Sequence, residues 1–295
     1  NDGVAVVYVA LPGLVTEDGT PAMLLPGMSA WSPAEWLPLR ELLDHLSAGD
    51  ADLEKVVLLD CRRAAADWNL GLVADTFVDR VEQLVAAYGN PRLHVITASS
   101  AGQDAWASAE LRGSAFGRAA AEALAGASDR AVEPHKIGNR NRRVSLRELH
   151  RYVAQRVDAW ARANRGASQT PRLFSTTAEN ADFRIAWSLD ASSLRQMAEE
   201  EELQPPPAAA VPADDRARLW RQLDALRGAA PFQTHPVAWR DLEHGLLRLE
   251  RLSQAGEAYV GAARTTLDDL RRRLDEASAR SATLGERPTR TARAA

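Results

Sequence analysis

The sequence predicts an α/β protein with a mostly parallel sheet flanked by helices, followed by an all-α region. Three observations predict it. Short β-branched runs at residues 4–10 (VAVVYVA), 55–61 (KVVLLDC) and 92–98 (RLHVITA) lack the alternation of a half-exposed strand, so each reads as a strand covered on both faces. Helix-periodic segments separate them, and that order calls for parallel pairing through right-handed crossovers. Beyond the proline-rich residues 204–212 (QPPPAAAVP), the periodicity is helical throughout.

Taken in order, the first strand is broken at Leu11-Pro12-Gly13, where a tight turn is expected, and a second turn centres on Gly19. Ser32-Pro33-Ala34-Glu35 offers a capping hydroxyl, a first-turn proline and a carboxylate three residues after the cap, so a helix is expected from there, with Leu39, Leu42, Leu43 and Leu46 on one face. A second helix is expected over 76–88, stopped by Gly89, and a small-residue helix over 114–124, closed by Gly126. Residues 128–143 are polar and read as a solvated loop. Ser145 and Glu148 form a capping box for a helix reaching about residue 163, and residues 172–174 and 183–187 read as further edge strands. After the linker, helices are expected at 216–226, 237–252 and 257–279. The last repeats Val260, Ala263, Leu267, Leu270 and Leu274 at three- and four-residue steps, a coiled-coil seam suited to self-association. The expected organisation is an α/β domain over 1–195, a linker over 196–213, a helical bundle or arm over 214–280, and a disordered tail over 281–295.

Composition narrows the function classes. A hydrophobic fraction of 45% in 295 residues supports a substantial core. A net charge of −4 and a pI near 5.9 give no general attraction to nucleic acid or to an anionic membrane. The apolar run over 4–15 is too short to span a bilayer and is interrupted by Pro12 and Gly13. One cysteine, Cys61, excludes an internal disulfide and fits a reducing, cytoplasmic setting. Apolar sequence begins by Val4, so the chain is expected to start inside a larger protein, multidomain or membrane-tethered, with a piece of the sheet preceding it. No metal or cofactor is expected: Asp60, Asp67 and Asp75 match no ligand spacing, and Trp36, Trp68, Trp106 and Trp160 read as packing anchors.

Several segments together resemble the bacterial caspase-like cysteine peptidases of the caspase and metacaspase group. The resemblance rests on motif order: VAVVYVALPG, KVVLLDCRR and LHVITASSAGQDAW stand where family members have a strand ending in His-Gly, a strand ending in Asp-x-Cys, and a strand followed by a Ser- or Ala-rich stretch containing Gln. SAFGRAAAEALAG and the stretch from Val144 to Phe174, which includes Gln169-Thr170-Pro171, continue it. It covers roughly residues 4–174 and implies a caspase-hemoglobinase fold and a thiolate attacking a peptide carbonyl beside a histidine.

The residues depart from that pattern at both catalytic positions. Pro12 occupies the histidine position, and Arg62 the cysteine position, with Cys61 one residue early. A one-residue shift in an extended strand turns a side chain to the opposite face. The resemblance makes Asp60, Ser99, Gln103 and Asp104 candidates for the wall of a substrate pocket. Two readings of Cys61 stay open: a small buried apolar residue, or a nucleophile re-aimed by a bulge and served by another base, with His45, His94 and His150 as the histidines weighed. The expected function is therefore an inactive caspase-like pseudo-peptidase binding protein or peptide partners. The alternatives are an active cysteine endopeptidase using Cys61, and a helical assembly module carrying a vestigial peptidase domain.

Overall fold

Three parallel strands, β1 (Val4–Val9), β5 (Glu54–Leu59) and β7 (Leu93–Thr97), form the centre of the α/β part of the chain. The computed structural model describes residues 3–28, 32, 35–63, 76–108, 110–128, 142–176, 183–187, 189, 193, 209–226 and 236–285. β5 and β7 are almost wholly buried, with only Glu54 among their residues partly exposed, as strands covered on both faces require. The sheet order is β1-β5-β7-β11, where β11 (Arg172–Phe174) adds antiparallel at one edge and β1 forms the other. The crossovers include α1 (Leu39–Ala48) and α2 (Phe77–Tyr88), whose Leu39, Leu43, Phe77, Val81 and Val85 pack with Val57, Leu59 and Val95 in one core. Gly89 closes α2 in the left-handed conformation expected of it.

The chain does not turn tightly after β1. Pro12–Val15 forms a strand, β2, which pairs antiparallel with β3 (Pro21–Met23) around the Asp18-Gly19 turn and parallel with β6 (Arg62–Arg63). β4 (Leu37–Pro38) completes this second sheet in the order β4-β3-β2-β6. That pairing also moves the start of α1. Leu37 opposes Met23, so the helix begins at Leu39 with Pro38 at its cap, and the Ser32 capping pattern does not start it. Residues 33 and 34 of that pattern lie outside the described residues.

Two further two-stranded ribbons follow, β8 (Ala107–Ser108) with β9 (Gly113–Ser114), and β10 (Arg143–Ser145) with β12 (Arg184–Trp187). The small-residue helix is α3 (Ala115–Glu122), which runs on into a π turn over Ala123–Ala127 with Gly126 at φ 96°. The capping box opens α4 (Leu146–Arg165): Ser145 N–H donates to Glu148 at 3.0 Å and Glu148 N–H to Ser145 Oγ at 3.3 Å.

The chain divides into two compact units, Asn1–Ala159 with Ser168–Leu203, and Trp160–Ala167 with Gln204–Ala295. The boundary falls within α4, so the helical unit contains the end of that helix as well as α5 (Ala213–Ala225), α6 (Pro236–Gln254) and α7 (Val260–Gly285). Gly166 ends α4 at φ 68°, where a Cβ would lie 2.9 Å from Arg221 Cα; both the turn and the close approach require glycine. The seam of α7 is already occupied within this unit. Ala263, Leu267, Leu270 and Leu274 are buried, and Gly245 of α6 lies so close to Leu270 that a Cβ there would sit 2.7 Å from its Cδ2. These four residues of the face expected to self-associate are thus packed within the unit, while Val260 is only partly buried. Residues 286–295 of the expected tail lie outside the described residues. Among the described residues no helix is long and apolar enough to cross a membrane.

Candidate functional site

The loops after β1, β5 and β7 all leave the carboxyl ends of parallel strands, where open α/β sheets place their sites. Asp60 N–H donates to Val9 O at 2.8 Å and Ala98 N–H to Leu59 O at 2.9 Å, so the three exits are held side by side. The two positions singled out by the motif resemblance meet in this region: Pro12 on β2 is the register partner of Arg62 on β6, and Gly13 that of Arg63. Parallel neighbours lie about 4.8 Å apart.

Cys61 points elsewhere. Its side chain belongs to the core cluster with Leu59, Phe77, Val81 and Val95, and only 8% of the residue is exposed. Burial and then the neighbouring Asp60 carboxylate push its thiol up to about 12, opposed only in part by a backbone hydrogen bond from Leu11. A nucleophilic cysteine needs the reverse, a thiolate favoured by positive surroundings and open to solvent.

Asp60 is the polar centre of the strand ends. It is 4% exposed, and its Oδ2 accepts hydrogen bonds from the Tyr8 hydroxyl and the Ser114 hydroxyl. Ser114 caps α3, accepting from Gly117 N–H at 2.7 Å. A Cβ on Gly117 would collide with the Tyr8 hydroxyl, so glycine at this position lets β1 and the start of α3 converge on one carboxylate. Burial, followed by the bond to and the charge of Asp60, holds the Tyr8 phenol well above its usual range. The polar atoms of Tyr8, Asp60 and Ser114 are thus tied together at the strand ends. Ser114 appears in the sequence as a helix start and Tyr8 as the one polar side chain of an apolar run, but nothing in their spacing links them to Asp60.

The other candidates organise the adjoining loop. Gln103 Oε1 accepts from Thr170 N–H at 2.6 Å and Ser100 N–H at 3.3 Å. Ser99, 5% exposed, donates from Oγ to Gln103 O at 3.3 Å, and Asp104 is partly buried in the same loop. Gln169, which stands out in the sequence only within Gln169-Thr170-Pro171, is fully buried and fastens this loop. Its Oε1 accepts from Trp106 N–H at 3.0 Å, and its Nε2 donates to Ala98 O at 2.9 Å.

Of the histidines considered as a base, His150 adjoins this end, because the Pro171 carbonyl it meets directly precedes Arg172, the register partner of Thr97, and burial lowers its pKa. His94 is the second residue of β7, at the amino end of the sheet, and its Nε2 is 2.9 Å from Glu54 Oε2. His45 Nδ1 meets Glu41 O within α1, and His150 Nε2 meets Pro171 O. Asp67 and Asp75 lie outside the described residues, and among the described residues no group of three or more His, Cys, Asp or Glu is placed to hold a metal ion. Comparison with family models and with curated proteins finds no match to this chain.

Proposed function

We propose that the α/β unit is a caspase-like domain that has lost its catalytic pair and works as a protein-interaction or scaffold module. The observation that carries this reading is the register of Pro12 against Arg62. The two positions singled out by the motif resemblance, 50 residues apart in sequence, are neighbours on adjacent strands at the carboxyl end of the sheet, and neither residue type can serve as nucleophile or base there. The β2-β3 hairpin continues from Pro12, and the bond from Thr170 N–H to Gln103 holds the loop after β7, so the neighbouring strand-end loops keep their order without the catalytic residues.

Cys61 does not fit as a substitute nucleophile, because attack would require both ionising the thiol beside Asp60 and withdrawing it from the core. The test is a peptide-library cleavage assay on the full chain together with iodoacetamide labelling. No cleavage and slow labelling of the native thiol, with fast labelling in denaturant, are expected. Cleavage that disappears in Cys61→Ala would overturn the proposal.

A further inference from the structure

We propose that the outer face of the β10-β12 ribbon is a docking surface for an acidic peptide segment with apolar side chains, a site separate from the strand ends and independent of the reading given to them. The most exposed large hydrophobic residue among those described is Trp187, at 56%. Two guanidinium groups flank its ring: Arg184 Cζ is 4.5 Å and Arg143 Cζ 5.5 Å from the centroid.

This grouping depends on an irregularity in the backbone. Arg143 opposes Trp187 directly, and Val144 opposes Ala186, but Ser145 then opposes Arg184, leaving Ile185 as an extra residue. In a regular strand Arg184, three residues from Trp187, would face the other side with buried Val144. The bulge turns it onto the face of Trp187, and re-aiming one side chain is what bulges do. The outcome is a cation, an indole and a second cation on one face, with exposed Leu189 two residues further on.

Arginine and tryptophan are the residue types most often found at the energetic centres of protein interfaces. A guanidinium stacked on an aromatic ring keeps its hydrogen-bonding edge in its own plane, suited to a carboxylate. The Arg184 guanidinium beside an accessible indole, with the charge of Arg143 next to it, complements a carboxylate neighbouring an apolar side chain. A nucleic-acid strand is the poorer match. It rewards a track of cations along several phosphates, and this chain carries a net charge of −4.

The experiment is fluorescence anisotropy on the full chain with two labelled probes, an eight-residue peptide of alternating glutamate and leucine, and an oligothymidylate of equal charge. The peptide is expected to bind more tightly than the oligothymidylate. Trp187→Ala should weaken it at least tenfold, and Arg143→Glu with Arg184→Glu should abolish binding, while the circular-dichroism melt stays within a few degrees of the parent. Arg184→Lys, which keeps the charge but loses the stack, should fall between. Absent peptide binding, equal binding to the parent and Trp187→Ala, or tighter binding of the oligothymidylate would each overturn the proposal.

Discussion

His94 is fully buried beside Glu54, and burial lowers its pKa below the ordinary 6.5 even though the carboxylate acts the other way. Its ring also meets Phe183 at 4.9 Å between centroids. The folded protein therefore holds the neutral imidazole more readily than the unfolded chain does. Below pH 6.5 the unfolded chain binds more protons, so the contribution is complete above that value and is lost as pH falls towards the lowered folded value. His150, also lowered by burial, acts in the same direction. The urea midpoint is expected to fall between about pH 7.5 and about pH 5.5, and His94→Gln should flatten that dependence, leaving the share from His150. An unchanged slope in His94→Gln would show that this histidine is not what the acid range titrates. At the strand ends the same physics works on Cys61, where burial and Asp60 disfavour the thiolate. The identities of Pro12 and Arg62 could be read directly from the sequence. The bonds from Tyr8 and Ser114 to Asp60 could not, because they join residues 52 and 54 positions apart that no local pattern connects.

At the scale of elements, long apolar runs and clear caps were legible, and short strands were not. β5 and β7 announce themselves by short runs rich in Val, Ile and Leu without alternation, and α4 by its capping box. β2, β4 and β6 are only two to four residues long, and β2 and β4 contain proline, so they carry no periodicity; pairing partners create them. The helical unit shows the same limit, since its boundary inside α4 follows from tertiary contacts. Arg165 near the end of α4 makes two 2.9 Å bonds to the Glu250 carboxylate and lies over the rings of Trp160 and Trp220 at 4.8 and 5.1 Å. Both charged residues are almost fully buried. Breaking such a pair leaves one charge without its counter-ion, so Arg165→Met should cost about 3–5 kcal/mol, while Arg165→Met with Glu250→Leu should recover most of it. Chemical denaturation of the two variants and the parent measures this. A double variant no more stable than the single one would assign the role to the arginine's stacking on tryptophan and not to the ion pair.

For the whole molecule, the sequence predicted an α/β part followed by a helical part, and the structure has both, with β1, β5 and β7 parallel as expected. What sequence order could not supply is which strand ends come together. The β2-β6 pairing supplies it, and on it rests the proposal that positions 12 and 62 are the vacated seats of a catalytic pair. Residues registered across a ladder share a face, so a histidine and a cysteine placed at these positions should interact. The most direct measurement is the pH dependence of iodoacetamide labelling in a Cys61→Ala background, comparing Arg62→Cys alone with Arg62→Cys plus Pro12→His. The expected result is a thiol pKa lower by about one unit or more with the histidine present, as an adjacent imidazolium favours the thiolate. Identical labelling profiles in the two variants would contradict the account.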